Sequence, residues 1–229
     1  ISKKTDEVNR EMDFSFSFAG VGRFRVNVYR QRSTLAAVLR NVLFELPDSS
    51  ALNIPEEIMS LADANNGIIL ITGAAGSGKS TTLTCMIDRI NSRRRGHIVT
   101  IEDPIEFLHK HKQSIISQRE IGIDTDSYAD ALRAALRQSP NVILLGEMRD
   151  NETMSIAMTA AETGQLVLST LHTLGAVNTI DRIIDSFPTN QQHQIRMQLS
   201  MVLRAVVSQQ LLPDIDGTLH PVFEVMTVN

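Results

Sequence analysis

The segment Gly73-Ala74-Ala75-Gly76-Ser77-Gly78-Lys79-Ser80 constrains the fold more than any other part of the chain. It is a complete G-x4-G-K-[ST] pattern, and its flanks give it a context. Ile68-Ile69-Leu70-Ile71 before it is a continuous apolar run, the signature of a strand covered on both faces. From Lys79 to about Arg95 the residues read as a helix, with Gly96 placed as its C-terminal cap. Strand, glycine loop and helix in that order turn backbone N–H groups inward around phosphate oxygens. Ala74, Ala75, Gly76, Ser77, Gly78, Lys79, Ser80 and Thr81 are expected to bind the nucleotide. Lys79 is expected to bridge the β- and γ-phosphates, and the Ser80 hydroxyl to reach Mg²⁺.

The rest of the chain after Ile54 repeats a strand–helix rhythm. Pro55 opens a helix running to about Asn65. Strands are predicted at Ile98–Ile101, Val142–Leu145 and Leu166–Ser169. Helices are predicted at Ser127–Gln138, Glu152–Thr163, Val177–Ser186 and Asn190–Gln210. The last of these rests on the helical spacing of Ile195, Leu199, Val202, Leu203 and Val206. Such alternation means an α/β domain with a mainly parallel sheet and crossover helices.

The first fifty residues differ. Phe14, Phe16 and Phe18 alternate with polar residues, as do Arg23 to Arg30, with Ala19-Gly20-Val21-Gly22 between them as a hairpin connection. Gln31 to Phe44 is ambiguous between strand and helix. Pro47-Asp48-Ser49-Ser50 is a turn cluster, so the expected domains are residues 1–51 and 52–229. Fifty residues with three strands bury too little for an independent core, which makes the first segment part of a larger β-rich domain. The chain opens at Ile1 without Met or a signal-peptide pattern, and the native start is expected upstream.

Composition removes whole classes of function. A net charge of −4 and only 4% aromatic residues give no basic, aromatic-interleaved surface, so no nucleic-acid partner is expected. One cysteine, Cys85, excludes an intrachain disulfide framework and suits a reducing compartment. No apolar run approaches the length of a membrane span. The histidines share no metal-ligand spacing, so no zinc site is expected.

Three further segments carry chemistry. Val142-Ile143-Leu144-Leu145-Gly146-Glu147 is an apolar strand ending in a carboxylate, the usual way to set an acid beside a nucleotide-bound metal. Ile98-Val99-Thr100-Ile101-Glu102-Asp103-Pro104 ends in two acids that strand alternation sends to opposite sides. One is expected to face the nucleotide and activate water, the other to cap the following turn. His172 follows a third buried strand, either packed or reaching a γ-phosphate. Arg23, Arg25, Arg30 and Arg32 form either a plain exposed face or a source of arginine for a nucleotide across a boundary.

Taken together, Ile101-Glu102-Asp103-Pro104-Ile105-Glu106, Gly146-Glu147-Met148-Arg149-Asp150, Thr163-Gly164 and Ser169-Thr170-Leu171-His172-Thr173 resemble the acidic box, Walker B and histidine box of the secretion ATPase superfamily. Within it, Ser117-Gln118-Arg119-Glu120, Ala131 to Arg137, Ala160 to Gly164 and Ile180 to Asp185 are similar to the retraction ATPases of type IV pili, over nearly the whole chain. The resemblance implies a RecA-like P-loop ATPase domain preceded by a truncated α+β PAS-like domain, assembled as a homo-hexamer. It implies Glu102 as general base, Glu147 holding Mg²⁺ through water, His172 near the γ-phosphate, and Arg25 and Arg32 contacting phosphates. It also implies ATP hydrolysis powering pilus retraction at the inner face of the cytoplasmic membrane, through an inner-membrane platform protein. The rivals are a secretion or pilus-assembly ATPase and a nucleotide-gated scaffold with little turnover. The sequence departs from the family at Ala74-Ala75, where Pro-Thr is usual, without removing a phosphate ligand. It also lacks the fifty to sixty residues that usually precede this region and the helical segment that usually follows Asn229.

Overall fold

Alternation at the start of the chain produces an antiparallel sheet. β1 (Glu11–Phe18), β2 (Gly22–Gln31) and β3 (Thr34–Val42) pair in that order. The computed structural model describes residues 11–18, 22–42 and 46–228. Phe16 lies opposite Phe24 in the register, and their rings stack with centroids 5.5 Å apart. Arg32 and Ser33 make the two-residue β2–β3 turn at φ 48° and 66°, the left-handed pair that matches strand twist. The ambiguous stretch from Gln31 is therefore turn and strand as far as Val42, and residues 19–21 of the expected hairpin connection lie outside the described residues. Two compact units result, one of residues up to 45 with 106–108, the other of 46–105 and 109–229.

The second unit is built on a seven-stranded sheet. Its strands are β4 (Gly67–Thr72), β5 (His97–Glu102), β6 (Ile115–Glu120), β7 (Val142–Leu145), β8 (Leu166–Leu171), β9 (Leu203–Pro213) and β10 (Leu219–Thr227). The order is β10-β9-β4-β8-β7-β5-β6, parallel throughout except for the antiparallel β9–β10 hairpin at one edge. β4, β7 and β8 are buried along their whole length, which is why they read as unbroken apolar runs.

Side-chain alternation feeds two cores. Ile68 and Leu70 face a layer made by α3 (Tyr128–Leu136), α4 (Asn151–Glu162), α5 (Ala176–Asp185) and α6 (Gln192–Val202). Ile69 and Ile71 face α1 (Glu56–Leu61) and α2 (Lys79–Arg93). A helix-covered, mainly parallel sheet is the expected α/β architecture, and the small antiparallel sheet agrees with the β-rich N-terminal part.

Three local expectations are corrected. The helix read at Asn190–Gln210 is α6 followed by β9: Ile195, Leu199 and Val202 are the buried helical stripe, whereas Leu203 and Val206 belong to the strand. Apolar residues of a central strand happen to continue the helical spacing, and pairing with β4 decides the outcome. The helix after Pro55 ends at Leu61, where three-residue turns through Ala62, Asp63 and Ala64 close it. Gly96 is not a left-handed cap, because α2 ends at Arg94 in extended backbone. Its small size is required instead by Asn141, whose Oδ1 would stand 2.6 Å from a Cβ there.

Candidate nucleotide site

Every acid and base singled out in the second unit stands at the C-terminal edge of the parallel strands, where such sheets bind ligands. The glycine loop leaves β4 and enters α2 at Lys79. Gly78 caps that helix at φ 87°, and Gly73 stands at φ 142° with the Gln209 carbonyl oxygen 2.2 Å from where a Cβ would be. Neither position accepts a side chain. The Lys79 ammonium is nearly buried and donates to the carbonyls of Gly73 at 2.9 Å and Ala74 at 2.7 Å, inside the mouth of the loop. Ala74, Ala75, Gly76 and Ser80 are exposed, Ser77 is buried, and Gly78 and Thr81 are partly so.

Glu147 follows β7 by two residues, and its strand end is tied to both neighbours. The Gly146 N–H donates to the Ile101 carbonyl at 2.8 Å, and the Thr170 hydroxyl donates to the Gly146 carbonyl at 2.6 Å. The Glu147 carboxylate is nearly buried, pairs with Arg149, and lies 3.5 Å from His172 Nε2. That ion pair raises the Arg149 guanidinium above its ordinary range. Glu102 ends the adjacent strand β5. Its Oε1 accepts from the Thr100 hydroxyl at 2.5 Å and from Gln118 Nε2 at 3.2 Å, so β6 helps hold it. Burial, then the nearby charges of Glu147 and Asp103, push the Tyr128 phenol well above its usual range. Arg25, opposite Arg40 in the small sheet, and Arg32, at its turn, belong to the other unit.

The donors suit Mg²⁺. Magnesium takes hard oxygen ligands with water, and the Ser80 hydroxyl and Glu147 carboxylate are both of that kind. The buried hydroxyls of Ser77 and Thr72, at the loop and just before it, make no hydrogen bond with the described residues. An oxyanion with its hydrated cation satisfies such groups.

Several participants escape a reading of the sequence alone. Gln209, in the part of β9 whose apolar spacing predicts helix, accepts a 2.8 Å hydrogen bond from Thr82 and fills the space beside Gly78. Leu52, Ile54, Leu211, Leu219 and Pro221 line a cavity of about 300 Å³ that opens beside Gly78 and Thr81. No motif marks these residues, since they meet only when β9 and β10 close against the start of α2.

The family described as "Type II/IV secretion system protein" matches residues 49–221. The chain is 49% identical over 215 residues to the "Twitching motility protein" of Neisseria gonorrhoeae, covering 94% of this chain and 58% of that protein. It is 46% identical over 224 residues to the "Type IV pilus retractation ATPase PilT" of Pseudomonas aeruginosa, covering 98% of this chain and 65% of that protein. Among solved structures, the pilus retraction motor PilT with bound ADP superposes with a TM-score of 0.94 at 53% identity, covering 98% of this chain and 66% of that one. The chain thus spans somewhat under two thirds of the length of these relatives.

Proposed function

We infer that this chain, which belongs to the type II/IV secretion system protein family, is the ATP-hydrolysing part of a hexameric motor that retracts type IV pili. One observation carries the reading: a single sheet edge holds the Lys79 ammonium in its glycine loop, the Glu147–His172 pair at 3.5 Å, and Glu102 on the neighbouring strand. Similarity to proteins named for twitching and pilus retraction, over nearly the whole chain, supports retraction as the work done.

In this reading the loop N–H groups and Lys79 hold the β- and γ-phosphates, and the apolar cavity beside Gly78 takes the base. Ser80 and, through water, Glu147 would hold Mg²⁺, which would supply charge neutralisation for the phosphate oxygens. Glu102 accepts a proton from water as the water oxygen bonds to the γ-phosphorus and the bond to ADP breaks, giving ADP and phosphate. His172, beside Glu147, senses whether a γ-phosphate is present. Arg25 and Arg32 reach the phosphates of a neighbouring subunit and stabilise the developing charge.

The small sheet is read as part of a PAS-like domain over residues 1–51, ahead of a RecA-like domain over 52–229. Exchange of ATP for ADP then moves each N-terminal domain against its neighbour's ATPase domain, a two-state element biased by differential binding. Among the described residues no helix is long and apolar enough to cross a membrane. In this reading, by analogy with the retraction proteins it resembles, the motor acts on the pilus through a platform protein in the inner membrane, from its cytoplasmic side.

The test is Mg²⁺-dependent ATP hydrolysis measured against protein concentration, with Glu102→Gln and Arg25→Ala alongside. Activity per subunit that rises with concentration and collapses in both variants supports a ring motor with arginines acting between subunits. Binding without turnover, or turnover indifferent to Glu102, replaces the motor with a nucleotide-gated scaffold.

A further inference from the structure

Tyr128 begins α3 and is fixed there by the Ser127 cap, whose Oγ accepts from the Asp130 N–H at 3.1 Å. Arg133, further along α3, pairs with Glu152 of α4. Anchored at both points, α3 carries the tyrosine ring to the ends of β5 and β7. Those ends lie side by side, since Ile101 is in register with Leu145. A Cβ on Gly146 would stand 3.5 Å from the Cα of Glu102 and only 2.8 Å from the Tyr128 hydroxyl oxygen. The hydroxyl thus sits over the residue immediately before Glu147, on the side that adjoins Glu102. Gly146 has no left-handed backbone to explain it; the space it leaves is the space the hydroxyl takes.

We propose that Tyr128 is a positioning residue for hydrolysis, its hydroxyl bridging the two carboxylate-bearing strand ends and fixing where Glu102 stands relative to Glu147. The proposal rests on the ATPase reading above. A phenol suits the task because its ring has few torsions to lose and its O–H both donates and accepts. Burial, with the nearby carboxylates adding to it, keeps it protonated, so it remains a donor to a carboxylate or to water held between two of them. Phenylalanine would fill the same volume and leave the bridge unmade. Reactions of this kind depend on positioning to within about 1 Å, which gives a hydroxyl of this sort leverage on kcat without contact with ATP.

The experiment compares Tyr128→Phe with the unmodified full chain in steady-state hydrolysis of Mg-ATP, in the presence and absence of Glu102→Gln. Tyr128→Phe is expected to lower kcat roughly 5- to 50-fold while changing KM less than about twofold. It is expected to cause no further loss in the Glu102→Gln background, because the tyrosine acts through that glutamate. An unchanged kcat, or an equal loss in both backgrounds, overturns the proposal. Gly146→Ala tests the geometry independently of rate. Its new methyl group meets the hydroxyl and lowers the melting temperature, and adding Tyr128→Phe is expected to restore the melting temperature without restoring kcat. Failure of that rescue also overturns it. If the unmodified chain itself does not hydrolyse ATP, the ATPase reading fails and takes this proposal with it. Turnover with a silent Tyr128→Phe overturns this proposal alone.

Discussion

The hydroxyl of Thr82, in the first turn of α2, donates a 2.8 Å hydrogen bond to Oε1 of Gln209, 127 residues further along the chain. Both side chains are buried. The other end of the Gln209 amide lies beside Gly78, its Nε2 2.7 Å from where a Cβ would be. The carbonyl of the same residue crowds Gly73. One glutamine on β9 therefore closes against both ends of the phosphate loop and fixes its position on the sheet.

Replacing Gln209 by Ala is expected to leave the Thr82 hydroxyl buried without a partner, at a cost of about 1–3 kcal/mol. Chemical denaturation should show the loss as a lower midpoint at unchanged slope. Nucleotide affinity should fall as well, because the loop loses its backing. Thr82→Val in the same chain tests the cause: with both polar partners gone, part of the stability should return. A double variant no more stable than Gln209→Ala would locate the damage elsewhere.

Glu102→Gln is expected to reduce hydrolysis by about 10²- to 10⁴-fold, the usual worth of a positioned general base. Gln keeps the acceptor that Thr100 and Gln118 use, so folding and ATP affinity should change little. Lys79→Ala should behave in the opposite way, losing nucleotide binding itself. Isothermal titration with a non-hydrolysable analogue separates the two. Loss of binding in Glu102→Gln would remove the base assignment.

His109 supplies a pH dependence with a definite sign. Burial lowers its imidazole from an ordinary 6.5 to about 4, with Asp88 opposing the shift and Lys112 adding to it. Its Nδ1 is enclosed without a hydrogen-bond partner among the described residues. The unfolded chain therefore binds a proton between pH 6.5 and 4 that the folded chain does not. The contribution of this residue to stability is complete above pH 6.5 and is lost progressively as pH falls towards 4, by up to about 3 kcal/mol. Carboxylates lowered by partners, such as Asp63 beside Arg89, lose their contribution below this window. Urea midpoints between pH 7 and 4.5 should show the decline, and His109→Gln should flatten it.

How much of this was legible depended on whether each element's signal was local. β4, β7 and β8 are buried on both faces, so each announces itself as an apolar run, and the acids and histidine after β5, β7 and β8 are found by reading off the next residues. Ser127 and Asp150, with side chains accepting from Asp130 and Thr153 N–H groups, mark the starts of α3 and α4 within a residue. β6 and β10 gave little because edge strands carry mixed polar and apolar residues. β9 was disguised because its apolar residues extend the stripe of α6, and only the neighbouring strands choose between the two. Gln209 and Tyr128 lay hidden for a related reason. Each acts on a residue distant in sequence, and a polar side chain in a strand or at a helix start carries no mark of its partner.

Cys85 offers a check on the packing of α2 that is independent of catalysis. Its thiol is buried beneath the segment before α1 and points to the Pro47 carbonyl, 3.4 Å away. Burial, with the charges of Asp88 and Asp48 adding to it, pushes its pKa up to about 11. At pH 8 the folded protein then holds almost no thiolate, and the thiolate is the form that reacts. An aromatic disulfide reagent should modify Cys85 slowly in the native protein and at the ordinary thiol rate in urea. The native rate should track opening of the chain around Pro47, so a variant that loosens that turn, such as Asp48→Ala, should speed it without changing the rate in urea. Asp48 Oδ1 accepts from both the N–H and the hydroxyl of Ser50, at 3.0 and 2.8 Å, which is what closes the turn over the thiol. Fast labelling of the native protein at pH 8 would mean that the segment does not cover α2 in solution.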